Sequence, residues 1–178
     1  MIFIALGSSI GNSENIFAST EKHLKQEGIT ILQKSKIFKN PPLGNIAKNE
    51  FSNAVWEIKI NQEKEKRVSL QAETLLSILK NCEIAHGRDI KNKKWSDRPL
   101  DLDILMFNDL ILKTKSLTIP HKEIPNRIFV LKPWSELVDQ DFNIPKQGSL
   151  QKLLKGIKSN HKNLSLKKGP QKTLFAKS

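Results

Sequence analysis

The chain has 178 residues, 38% of them hydrophobic and 27% charged, with 8 Gly and 8 Pro; that is one ordinary domain able to bury a core, and it excludes a disordered, collagen-like or repeat-biased chain. Thirty Lys and Arg against 18 Asp and Glu give +12, yet nine lysines and no acid fall within residues 146–178, leaving +3 on residues 1–145. The single cysteine, Cys82, can form no internal disulfide, the apolar opening is too short for a signal sequence, and no stretch approaches the roughly 20 apolar residues of a bilayer span, so a soluble cytoplasmic protein is expected.

Ile2 to Leu6 is an apolar run ending at Gly7 and reads as a buried strand entering the turn Gly7-Ser8-Ser9-Ile10-Gly11. A helix follows, capped by Asn12 or Ser13, with Ile16, Phe17 and Leu24 on its apolar side and Gly28 at its end. Ile29 to Phe38 reads as a second strand, stopped by Asn40-Pro41-Pro42-Leu43-Gly44, where two prolines remove two donors. Phe51 to Ile60 alternates: Ala54, Trp56, Ile58 and Ile60 point one way, and Phe51, Asn53, Glu57 and Lys59 the other. Ala72, Leu75, Leu76, Leu79 and Cys82 recur at helical spacing, with Ser69 as the cap and Gly87 past the end. After a basic stretch from Arg88 to Arg98, Leu100 to Phe107 forms a strand that Asn108-Asp109 turns into Leu110 to Leu112. Pro120-His121 comes next, and Ile124 to Leu137 reads as a helix started near Pro125 and limited by Pro133.

The order strand, helix, strand, strand, helix, strand is the ferredoxin-like βαββαβ arrangement of an α+β fold, here with an added hairpin and C-terminal helices. Both early helices would cover one face of an antiparallel sheet and leave the other for ligand. The tail is all Lys with one aromatic, Phe175, whereas base-reading surfaces favour Arg and stacking rings. A partly flexible, solvated extension over 146–178 is therefore favoured over a nucleic-acid arm.

Asp101 and Asp103 stand two apart in a strand, so both carboxylates leave one face while Leu102, Ile104 and Met106 enter the core. Two like charges so close need a cation or a proton between them once partly buried; Mg²⁺, which takes one or two carboxylates plus phosphate oxygens, answers that need, and a solvated strand face is the alternative. The segment from His86 to Arg98 carries Arg88, Lys91, Lys93, Lys94 and Arg98. It reads either as an exposed basic loop or as an arm for a polyphosphate, and its attachment to the acidic pair favours the second. His121 lies near Arg127, Asn53 offers donor and acceptor to a flat heterocycle, and Phe129 could stack on it, although each alone is an ordinary structural residue. The glycine turn matches neither a P-loop nor a dinucleotide fingerprint, and no Cys/His spacing fits zinc.

Four stretches together resemble the hydroxymethyldihydropterin pyrophosphokinases of folate biosynthesis. They are Ala5 to Asn12; Pro41-Pro42-Leu43-Gly44 with Phe51 to Val55; Glu83 through Arg88, Trp95 and Arg98 to Leu100-Asp101-Leu102-Asp103-Ile104; and Ile119-Pro120-His121 with Arg127, Phe129 and Pro133. The resemblance implies a single catalytic domain over 1–145 that transfers the terminal pyrophosphoryl group of ATP to 6-hydroxymethyl-7,8-dihydropterin, giving AMP and the pterin diphosphate, with two Mg²⁺ ions and as a monomer. By the same carry-over, Asp101 and Asp103 hold metal and act catalytically with Arg88, Arg98 and His121. Glu83, Arg88, Lys91, Trp95, Arg98, Ile104, His121 and Arg127 contact the nucleotide, and Pro41, Leu43, Gly44, Phe51, Asn53, Trp95 and Phe129 contact the pterin. Ser9, Ile90, Ser96, Asp97 and Pro99 depart from the family pattern and should alter closure of the arm and ATP affinity more than pterin recognition. A nucleic-acid-binding module is the competing reading, and the sheet's lack of a paired aromatic signature counts against it.

Overall fold

The computed structural model describes residues 1–41, 49–61, 67–89 and 97–157. Among these residues, nine strands and three helices follow one another as β1 (Ile2–Ser8), α1 (Ser13–Gln26), β2 (Thr30–Lys34), β3 (Phe38–Asn40), β4 (Phe51–Lys59), α2 (Val68–Ala85), β5 (Asp101–Phe107), β6 (Leu112–Lys113), β7 (Thr118–Ile119), α3 (Ile128–Trp134), β8 (Asn143–Ile144) and β9 (Gly148–Ser149), besides the short helical turns named below. The main sheet is antiparallel, in the order β2-β4-β1-β5, with β3 also paired to β4. Apolar β1 belongs at its centre because both its faces are covered. No helix among the described residues is long and apolar enough to cross a membrane.

α1 begins where Asn12, and not Ser13, accepts the Asn15 amide at 2.9 Å, and it ends as Gly28 turns at φ +76°. Phe17 and Leu24 from α1, and Ala72, Leu75, Leu79 and Cys82 from α2, pack on Ile4, Leu6, Ala54, Trp56, Ile58, Leu102 and Ile104 of the sheet. α2 starts at Val68 with no side-chain cap, so Ser69 lies inside its first turn and does not cap it.

The opposite face is not left free as expected. Phe3, Ala5, Val55, Leu105 and Met106 meet Val130, Leu131 and Trp134 of α3 in a second core, with the Phe3 and Trp134 rings 5.2 Å apart. Burying one such ring contributes on the order of 2 kcal/mol. Met106 joins this core and not the helix-side one: the β1–β5 register shifts at Phe3/Ile4, so Leu105 and Met106 both turn the same way. Leu150 and Leu154, past the 1–145 boundary drawn from charge, are buried here too, in a helical run over 150–157.

Three further expectations change. The strand expected over Ile29 to Phe38 is two strands, because at Ser35 the side-chain hydroxyl takes the Val55 amide at 2.9 Å in place of a ladder bond. Asn108 does turn the chain, at φ 48°, but the segment beyond it pairs β6 with β7 and not with β5. The helix expected from Ile124 to Leu137 splits into a 3-10 turn, Ile124–Asn126, and α3, since Arg127 adopts an extended backbone between them.

Candidate active site

Register places the site residues in rows across three strands. Gly7 of β1 pairs with Asn53 on one side and Asp101 on the other, and Ala5 pairs with Val55 and Asp103 in the next row. The two smallest residues of β1 thus floor a hollow between Asn53 and the aspartates. A side-chain carbon on Gly7 would stand 3.5 Å from Asn53 Oδ1 and 3.8 Å from Asp101 Cβ, filling it. Arg127, Phe129 and Val130 close the hollow from the α3 side. A larger hollow, about 560 Å³, lies at the opposite end of the sheet around Met1, Leu32, Ile60 and Asn108, with Glu57 and Lys59 among its described lining.

Each aspartate is held by guanidinium groups. Asp101 Oδ1 accepts from Arg88 Nη1 at 2.9 Å and from Arg98 Nη1 at 3.1 Å. Asp103 Oδ2 accepts from Arg127 Nη1 at 3.2 Å, and His121 Nε2 lies 3.8 Å from it. Burial pushes the Asp103 carboxyl upward, but His121, Lys80 and Arg127 outweigh it and hold the group below the ordinary aspartate range. For His121 burial dominates and lowers the imidazole, only partly opposed by Asp103, so the ring is neutral at neutral pH. The Glu123 amide donates to His121 Nδ1 at 3.1 Å, which assigns the ring proton to Nε2, on the Asp103 side.

Beneath this pair sits Glu83, 1% exposed, which accepts from the Leu102 amide at 2.6 Å, from Lys80 at 2.8 Å and from Arg88. Burial raises its carboxyl above the ordinary value, although Lys80 and the Leu102 amide draw it down. Arg88, whose charged form burial opposes, is nevertheless raised by Asp101 and Glu83. The side chain of Glu83 lies between α2 and β5, and that of Ile104, 2% exposed, lies in the helix-side core, so neither side chain of these two nucleotide candidates lines the hollow. Asn53 is buried at 6%, donating to Asn40 Oδ1. Phe129 is half-buried with the Arg127 guanidinium 6.0 Å from its ring centre, Phe51 is half-buried on the Asn53 face, and Pro41 is exposed. Leu43, Gly44, Lys91 and Trp95, with the departures Ile90 and Ser96, lie outside the described residues.

The structure adds two residues that the sequence reading passed over, Gln147 and Lys80, and gives a contact to Ser9, noted in the sequence only as a departure from the family pattern. Ser9 grips the backbone of Arg98 in both directions, its amide donating to the Arg98 carbonyl at 3.0 Å and its hydroxyl accepting the Arg98 amide at 3.0 Å. Gln147 donates to the His121 carbonyl at 3.0 Å. Lys80 donates to the Leu102 carbonyl at 3.0 Å. Only Lys80 carried a signal, its i,i+3 spacing from Glu83. Asp97, one of the departures from the family pattern, accepts from the Asn49 amide at 3.3 Å.

The donor set fits a hard cation. The arginines bond Oδ1 of Asp101 and Oδ2 of Asp103, which leaves the second oxygen of each carboxylate to face a cation, and no group of three or more His, Cys, Asp and Glu among the described residues could hold a metal. Two carboxylates with the remaining ligands drawn from phosphate and water is the magnesium pattern, not a zinc or calcium cage.

Comparison with known proteins gives a consistent result. The model of the 7,8-dihydro-6-hydroxymethylpterin-pyrophosphokinase family matches residues 3–139. The 2-amino-4-hydroxy-6-hydroxymethyldihydropteridine pyrophosphokinase of Haemophilus influenzae is 30% identical over 165 residues, 92% of this chain and 96% of that one. Its namesake from Bacillus subtilis is 34% identical over 139 residues, 78% of each chain. The bifunctional protein FolKE of Lactococcus lactis is 32% identical over 141 residues, 79% of this chain but 38% of that protein's length.

Proposed function

Because the chain belongs to the 7,8-dihydro-6-hydroxymethylpterin-pyrophosphokinase family, we propose that it transfers pyrophosphate from ATP to 6-hydroxymethyl-7,8-dihydropterin in a magnesium-dependent reaction. The observation that carries this reading is the pair Asp101 and Asp103 beside Arg88, Arg98 and Arg127, at a hollow floored by Gly7 and Ala5. The strand order β2-β4-β1-β5, with α1 and α2 together on one face, supports the ferredoxin-like assignment.

In the reaction the pterin hydroxymethyl oxygen attacks the β-phosphorus of ATP, the bond from that phosphorus to the oxygen bridging to the α-phosphorus breaks, AMP leaves and the hydroxyl proton is lost. Such a displacement needs positioning and charge neutralisation more than a strong nucleophile. Asp101 and Asp103 would hold magnesium, which when bound neutralises phosphate oxygens and aligns the transferred group. Arg88, Arg98 and Arg127 supply planar donors to phosphate oxygens. The neutral His121 presents its Nε2 proton to the same charge. Asn53 matches its amide to the edge of the heterocycle, and Phe129 covers the ring face.

The test incubates the chain with ATP, Mg²⁺ and the hydroxymethyl dihydropterin and follows AMP and the pterin diphosphate. Formation of both, dependent on the pterin and lowered about a thousandfold by Asp103→Ala, is expected. No pterin-dependent AMP from the wild-type chain would overturn the proposal.

A further inference from the structure

β5 is an edge strand, with β1 on one side and no strand among the described residues on the other. In an antiparallel pair, a residue's N–H and C=O point the same way. Leu102, between the two aspartates, turns both away from β1. Its amide donates to Glu83 Oε1 at 2.6 Å, and its carbonyl accepts from Lys80 Nζ at 3.0 Å. Lys80 and Glu83, one turn apart on α2, are bonded to each other at 2.8 Å. Two side chains of a helix therefore stand in for the missing neighbouring strand at the one residue that separates Asp101 from Asp103.

We propose that Lys80 is a positioning residue for the aspartate pair: together with Glu83 it fixes the Leu102 peptide, so that the two carboxylates keep the spacing a divalent cation requires. This rests on the reading of Asp101 and Asp103 given above. Lys80 touches neither carboxylate, and its side chain is 39% exposed. An exposed ion pair with Glu83 alone would matter little. As a bare charge, moreover, an ammonium near the aspartates opposes cation binding, whereas as a clamp it favours it. Charge and geometry thus predict opposite signs.

The experiment uses the full chain with Lys80→Met, which keeps the aliphatic stem and removes the donor, and Lys80→Arg, which keeps a donor. Mn²⁺ uptake in the presence of α,β-methylene-ATP is titrated by electron paramagnetic resonance, and amide exchange at Leu102 is measured on the ligand-free protein. Lys80→Met should weaken Mn²⁺ binding about tenfold, the usual effect of losing a group that orients a metal ligand. Exchange at Leu102 should accelerate about tenfold relative to the amides of β1, the equivalent of one charged hydrogen bond. Lys80→Arg should restore both. Unchanged exchange at Leu102, or tighter Mn²⁺ binding by Lys80→Met, would overturn the positioning role while the functional reading stands. Failure of the wild-type chain to take up Mn²⁺ would overturn the functional reading and this role with it.

Discussion

Replacing Glu83 with Gln tests whether the buried carboxylate holds the site together. The variant is isosteric, so the amide oxygen can still accept the Leu102 amide now bonded at 2.6 Å. That oxygen also keeps Lys80, but the amide nitrogen then takes the place of Oε2 and faces Arg88, itself a donor. Removing one partner of a fully buried ion pair costs several kcal/mol. Here Arg88 keeps Asp101 at 2.9 Å, and Lys80, 39% exposed, stays partly hydrated, so the loss falls to that of one charged hydrogen bond, about 2 kcal/mol. For a chain of this size that corresponds to a drop in melting temperature of roughly 4–8 °C. Calorimetry on the ligand-free protein checks the stability, and isothermal titration with Mg-ATP checks whether Arg88, freed from one carboxylate, binds nucleotide more weakly. A melting temperature equal to or above the wild type would refute the reasoning, because it would mean that burying this charge costs as much as its three bonds return.

Four other outcomes are expected. Asn53→Ala should weaken pterin binding roughly tenfold with ATP affinity unchanged, read by fluorescence titration, since a heterocycle edge would lose its partner. Leu154→Ala should destabilise by about 2 kcal/mol and a chain ending at residue 145 by more, because Leu150 and Leu154 both fill the second core; equal urea midpoints would place that segment outside the folded body. The Asp103 carboxyl is held below its ordinary value of 3.8, so the stability it contributes is present above that pH and disappears as pH falls through the lower folded value. Below the histidine range, the gap between wild type and Asp103→Asn should hold down to 3.8 and shrink below it, as the unfolded chain takes up the proton first. His121 is lowered from 6.5, so the unfolded chain takes up its proton first as pH falls; the wild type should therefore lose more stability than His121→Gln below that pH, and parallel profiles would refute the shift.

Much of the site was legible because β-strand geometry is strict. A period of two puts Asp101 and Asp103 on one face and Asn53 on the face opposite Ala54 and Trp56, and the structure keeps both. The register that brings Asn53, Gly7 and Asp101 into one row was not legible, since pairing of strands far apart in sequence leaves no local trace. Met106 escaped for a related reason: one extra residue at Leu105 reverses the alternation, and nothing in Ile-Leu-Met-Phe marks where the shift falls. The second core was missed because Val55 shares the face of Asn53, Glu57 and Lys59, expected to be left for ligand, while its partners, Val130, Leu131 and Trp134, lie in a helix that Pro133 was expected to limit. Ser9 and Gln147 act through backbone atoms of other segments, and side-chain bonds of that kind have no spacing to search for; for Lys80 the spacing showed the pair with Glu83 but not the bond to Leu102.

On the proposed reading, the pairing of the charges favours the joint arrival of two partners. The guanidinium groups that a polyphosphate would engage and the carboxylates that a cation would engage already satisfy one another, Arg88 and Arg98 on Asp101 and Arg127 on Asp103. A phosphate that drew Arg88 away alone would leave Asp101 short of a partner in a partly desolvated hollow, and a cation that took Asp101 alone would leave Arg88 and Arg98 facing it with like charge. Each single event therefore loses much of what it gains. A metal–nucleotide complex supplies an anion for the arginines and a cation for the aspartates at once, so both exchanges proceed without an unpaired intermediate. Glu83 makes that exchange tolerable for Arg88, because one carboxylate stays with the guanidinium from behind while Asp101 is released in front. If the chain acts as proposed, preference for the complex over either component would follow from the resting ion pairs themselves, in addition to any contact with the base or the sugar.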